Sequence, residues 1–215
     1  MKSAGEKVTV WDPFVRFFHW ALVLLVATAF LSGDHFLGLH TLAGYLILAL
    51  LFFRIVWGFI GTKPARFSDF VFSPRKVFRY LKDLVTLKAE RYLGHGPAGG
   101  AMAVALIVTL LATTLSGLVV YGGQEVAGPL AGFMLGAGRF WVGLVKEFHE
   151  FLAGTVVFLV SVHLLGVLFS SWAHRENLIK GMWTGEKRPE EPPSLTAVGG
   201  LSVNEGEGAL RRRAG

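Results

Sequence analysis

The sequence predicts an all-α integral membrane protein whose four helices run up-down-up-down as a transmembrane bundle. Three observations carry this. Of 215 residues, 53% are hydrophobic and only 17% charged, with a mean hydropathy of +0.52, well away from soluble globular composition. Four apolar stretches each reach the roughly 20 residues that a helix needs to cross a bilayer. Histidines recur inside three of those stretches, where ionisable groups are costly and rarely idle.

The first span runs from about Pro13 to Ser32. Asp12 stands at its cap, Pro13 at the first helical position, and Trp11 just before it. Its apolar residues continue around the whole helix, as expected when one side meets lipid and the other a bundle. The span holds Arg16 and His19 and has no small-residue cleavage site, so it does not read as a removable signal peptide. A tight connection through Gly33, Asp34, His35 and Gly38 leads to the second span, about Phe36 to Ile60, with His40 and Gly44 early and Arg54 and Trp57 late.

Between Gly61 and Gly96 there are eight basic residues against three acids, which places this loop in the cytoplasm under the positive-inside rule. Within it, Ser73-Pro74 followed by Lys76, Val77, Tyr80, Leu81, Leu84 and Val85 has the spacing of a short amphipathic helix on a membrane surface. The third span, about Gly99 to Tyr121, carries no charge and no histidine, and its small residues suit a packing wall. Gly122 to Gly138 is Gly-rich and too broken to span, so it reads as a folded external loop. The fourth span, about Phe140 to Ala173, is followed by the basic run His174-Arg175. These features divide the chain into a transmembrane domain, residues 1–185, and a tail, residues 186–215, expected to be disordered in the cytoplasm. Both termini then lie inside. Trp11, Trp57, Trp141, Trp172 and Trp183 are expected at the membrane interfaces, and His35, His95 and His174 in solvated positions.

There is no cysteine, which excludes iron–sulfur clusters, disulfides and covalent attachment of a c-type haem. The net charge of +6 is spread around span ends rather than over one basic face, so it points to membrane orientation and not to nucleic acid.

Histidine spacing supplies the chemistry. His149 and His163 are fourteen residues apart on the fourth span, hence on one helix face and separated by about 21 Å along it. With alternating helix directions, His163 matches the depth of His19, and His40 that of His149. Two imidazoles facing each other across a bundle core are the axial ligation of a non-covalent b-type haem, so the four histidines predict two haem sites. Arg54, fourteen residues beyond His40, lies at the depth of the inner pair and suits a haem propionate, with Arg16 as a second candidate. Gly44 and Gly166 leave room for a porphyrin ring. Interhelical hydrogen bonding by the histidines, and snorkelling by Arg54, are the competing structural readings.

The pattern resembles the bacterial cytochrome b561 family, which includes the cytochrome b subunits of nickel–iron hydrogenases. The matching stretches are Trp11-Asp12-Pro13 with Arg16, His19 and Trp20; His40-x-x-x-Gly44 with Arg54-x-x-Trp57-Gly58 and Ala65-Arg66-Phe67; Gly94-His95-Gly96-Pro97-x-Gly99; His149 and His163; and His174-Arg175-Glu176-Asn177. The chain departs from the family in having no fifth span, which hydrogenase subunits often show, and in carrying Gly96 where Asn usually stands. The resemblance implies two haem b groups on His19, His40, His149 and His163, multi-pass residence in the bacterial inner membrane, and electron exchange with the quinone pool. It further implies a redox partner such as a cytochrome c, or a dehydrogenase or hydrogenase for which the chain acts as membrane anchor. A reading from another class is a non-redox carrier using the histidines as proton relays.

Overall fold

The computed structural model describes residues 7–33 and 35–188. Four helices among these are long and apolar enough to cross a membrane: α1 (Pro13–Ser32), α2 (Leu37–Ile60), α5 (Pro97–Gln124) and α7 (Arg139–Ala173). Shorter helices fill the connections, namely α3 (Phe67–Phe70), α4 (Pro74–Val85), α6 (Ala131–Met134) and α8 (Leu178–Thr184). Two short strands, β1 (Val8–Thr9) and β2 (Glu186–Lys187), pair antiparallel with Val8 opposite Lys187.

Local chemistry sets the ends. The Asp12 side chain accepts the Val15 amide at 2.9 Å and Pro13 opens α1, as its sequence predicts. Asn177 caps α8 by accepting the Lys180 amide at 2.8 Å. That helix stops at Gly185, whose φ of 84° is left-handed and where a side chain would lie 2.7 Å from the Trp11 carbonyl oxygen. Only glycine suits both conditions.

The four spans form two hairpins, α1 with α2 and α5 with α7, joined along α2 and α5. Helices α1 and α7 scarcely touch. At most 28% of any span's apolar window is buried within the chain, and side chains such as Leu24, Phe52, Phe59 and Leu165 stand exposed on the outside. Such an apolar mantle requires lipid around it. The bundle core is Phe18, Ile47, Leu51, Leu110 and Val156, one or two residues from each span. Val156 lies midway in sequence between His149 and His163, so this apolar floor separates the two histidine levels.

The end of the bundle carrying the β1–β2 pair is here called basal, and the end carrying Gly33 and Arg139 distal. The basal end is closed by a cap. The amides of Val10 and Trp11 both donate to the Gly185 carbonyl, at 2.8 and 3.1 Å, and Val10, Trp11, Val15 and Ala65 form a second apolar cluster against Trp57, Leu93 and Met182.

Several expectations change in detail. Helix α5 extends to Pro97 and Gln124, and part of the expected distal loop is helical. Trp11 is 5% exposed, a member of the cap cluster rather than an interfacial anchor, because the returning chain after α8 packs over it. Trp141, Trp172 and Trp183 are exposed, as interface anchors would be. Order continues past residue 185 through the β2 pairing to Arg188, and residues 189–215, where the tail is expected, lie outside the described residues.

Candidate cofactor sites

The distal level is built from α2, α5 and α7. His40 leaves the first turn of α2, and its Nδ1 lies 2.8 Å from the Ala29 carbonyl of α1. His149 leaves α7, with Nδ1 at 2.9 Å from the Thr113 carbonyl and 3.2 Å from the Ser116 hydroxyl, which itself donates to Thr113. A carbonyl can only accept, so both Nδ1 atoms carry the proton and both Nε2 atoms are left with a free lone pair. This is the orientation that metal-ligating histidines adopt. The two ring centres are 6.1 Å apart with planes at 82°, and no hydrogen bond joins them. Two metal–imidazole bonds of about 2 Å, together with the depth of each ring, make about 6 Å, so the spacing fits one iron between them.

A cavity lies around this pair, lined among others by Ala29, Gly44, Tyr45, Gly117 and Val156. Gly44 has open space where a side chain would stand, and a Cβ at Gly117 would lie 3.0 Å from His149 Cε1. Both glycines therefore serve the site: the first leaves room, and the second admits the imidazole against the α5 backbone.

The basal level is built differently. His19 on α1 and His163 on α7 are within electrostatic reach of each other across the α1–α7 gap. The Nδ1 of His19 is buried without a hydrogen-bond partner, and so are Arg16 Nε, Trp20 Nε1, Arg54 Nη1 and His95 Nδ1. Arg54 is only 4% exposed, which rules out snorkelling. Its other terminal nitrogen donates to the Ala65 carbonyl at 3.1 Å, and its guanidinium stands over Phe67 and Phe70. Guanidinium and indole N–H groups are donors only. Buried donors left unmatched at the basal end call for an anionic acceptor, and the carboxylates of a haem fit that description.

His95 corrects the expectation of a solvated residue. Its ring packs on Trp11 at 4.7 Å and Phe70 at 5.0 Å between the cap cluster and Arg54, and burial, reinforced by the charges of Arg54 and Lys187, pushes it down to about 3. The residue retains slight surface exposure although its Nδ1 is wholly enclosed. His174 is half-buried and His35 exposed. Beneath His95 the cap is polar. Arg91 grips Glu176 through two hydrogen bonds, of 2.8 and 3.2 Å, with Lys187 buried nearby. Burial pushes the Glu176 carboxyl up, but Arg91 and Lys187 outweigh it and hold it below its usual value. For Asp12, burial is likewise outweighed, here by hydrogen bonds from Thr62, the Val15 amide and Trp57.

The structure thus brings His40, His149 and Gly44 around one distal cavity, and His19, His163, Arg16 and Arg54 all lie toward the basal end of their helices. The sequence reasoning missed Trp20, Ser116, Gly117 and the enclosed His95. Trp20's position beside His19 and Gly117's in a small-residue stretch were the available signals. Among the described residues no cluster of three or more His, Cys, Asp or Glu side chains is placed to hold a bare metal ion. Paired histidines instead suit a group that brings its own equatorial donors.

The family model described as prokaryotic cytochrome b561 matches residues 10–185. The chain belongs to that family, which makes it a multi-pass membrane cytochrome b working in electron transfer and a carrier of b-type haem. No curated protein and no solved structure matches it.

Proposed function

We propose that this member of the prokaryotic cytochrome b561 family binds two haem b groups, one on His40 and His149 and one on His19 and His163, and exchanges electrons between the quinone pool and a second redox partner. The observation that carries the reading is the distal pair, whose Nδ1 atoms are both committed to backbone carbonyls while the rings stand 6.1 Å apart. Haem held by these histidine pairs would supply one-electron redox chemistry.

The chain's own residues do the positioning. Ala29 and Thr113 fix the distal imidazoles through their carbonyls. Arg54, Arg16, Trp20 and His95 offer donors to the carboxylates at the basal level, and Gly44 gives the ring space. The apolar floor of Phe18, Ile47, Leu51, Leu110 and Val156 keeps water from the space between the levels. The excess of basic residues between Gly61 and Gly96 supports a cytoplasmic basal end, with both termini inside.

The test is the ratio of extractable haem b to polypeptide in the purified protein, read with a dithionite-reduced minus oxidised spectrum. Two haems per chain and two resolved redox waves are expected. One haem per chain would leave one histidine pair structural, and none would overturn the proposal.

A further inference from the structure

Helix α4 has three faces, and only one of them is used inside the chain. At about 100° of rotation per residue, Tyr80, Leu84 and Val77 fall together. Leu84 is buried and the other two are half-buried against the chain, with Tyr80 packed on Tyr92. Next around the helix come Leu81, Val85 and Phe78, which are 42%, 77% and 74% exposed. Beyond them stand Lys82, Arg75 and Arg79, all exposed and making no ion pair among the described residues. The single acid of this helix, Asp83, follows Arg79 by about 40° around the helix and makes no ion pair with it, so the polar side keeps a net positive charge. An apolar stripe between the protein and a basic stripe is unfavourable in water but matches a bilayer boundary, where apolar side chains enter the acyl region and cations meet phosphates. Helix α4 also packs against α5, which opens at the basal end.

We propose that α4 is a docking surface for anionic phospholipid headgroups, with Phe78, Leu81 and Val85 seated in the bilayer boundary and Arg75, Arg79 and Lys82 gathering acidic lipid. Charge complementarity selects this occupant, since three cations facing one way attract an anionic surface by a per-residue contribution that adds. The proposal does not depend on the haem ligands.

The absence of cysteine allows a clean test. A spin label on Phe78→Cys, in the full-length holoprotein reconstituted into nanodiscs, reports depth through its relative access to oxygen and to a water-soluble relaxation agent. In discs with one-third phosphatidylglycerol the label should favour oxygen, whereas a label on Arg79→Cys should favour the aqueous agent. Native mass spectrometry should find phosphatidylglycerol retained over phosphatidylcholine by about tenfold, and the Arg75→Gln, Arg79→Gln, Lys82→Gln triple variant should lose that preference with its haem spectrum unchanged. A Phe78 label equally open to water, or a triple variant that keeps the wild-type lipid preference, would overturn the proposal. Should the triple variant not fold, raising the salt concentration on the wild-type protein replaces it. The preference must then fall, and a salt-independent preference counts against the proposal.

Discussion

The two histidine levels solve the same problem in different ways. At the distal level His40 and His149 each give an Nδ1 proton to a main-chain carbonyl, which fixes the orientation of both rings. At the basal level His19 Nδ1 has no partner, and Arg16, Trp20 and Arg54 each bury an unmatched donor of their own. The distal histidines are held by main-chain carbonyls, whereas the basal level carries buried donors that no described residue satisfies. The difference follows from location. The distal pair sits against the main-chain carbonyls of Ala29 and Thr113, whereas the basal pair borders a cap that carries Asp12, Arg91, Glu176 and Lys187.

The comparison breaks most directly at the ligands. His40→Ala and His149→Ala should each remove the same spectral component, and His19→Ala and His163→Ala the other, halving haem per polypeptide from about two to about one in each case. If His19→Ala removed the component that depends on His149, the pairing by depth would fail.

Substitution of the glycines comes next in size and should act on one level only. Gly44→Phe places a ring in the distal cavity and should abolish that haem's retention, while Gly117→Ala presses on His149 and should weaken it by about tenfold, the usual scale for a disturbed ligand shell. Haem retention during dialysis against apomyoglobin measures both.

Arg54→Gln sharpens the contrast from the basal side. Removing a buried cation beside a group that gains an electron disfavours the reduced form, so the basal potential should fall by about 60 mV, or about 1.4 kcal/mol, in a redox titration. The distal potential should hardly move.

The smallest effect is on acid stability. His95 is held near 3 by burial, below its unfolded value near 6.5, so its contribution is complete above pH 6.5 and is lost as pH falls toward 3. Glu176, lowered by Arg91 and Lys187, loses its contribution in the same direction, below the ordinary carboxylate range. Hydrogen exchange between pH 7 and about 3 should therefore loosen the basal cap before the distal turns. His95→Gln should remove the upper part of that response and Glu176→Gln the lower.

Much of this molecule was legible in one dimension. The span of α1 agrees at both ends, and α4 is where amphipathic spacing put it, because apolar length and helical period are local properties. The pairing of depths needed only the fourteen-residue interval and alternating helix directions. Trp11, His95 and Lys187 were misread or passed over because each is buried by segments distant in sequence. Residues 8–11 are covered by the chain after α8, and His95 is wedged between Trp11 and Phe70.

The sequence by itself determined a four-span membrane cytochrome b, with its histidines set at two levels, since bilayer thickness and helix rise leave little freedom. Only the tertiary structure decided how each level is held. Which carbonyl faces an imidazole, which glycine admits it and which donors remain unmatched depend on contacts between helices, and no periodicity along one helix encodes those.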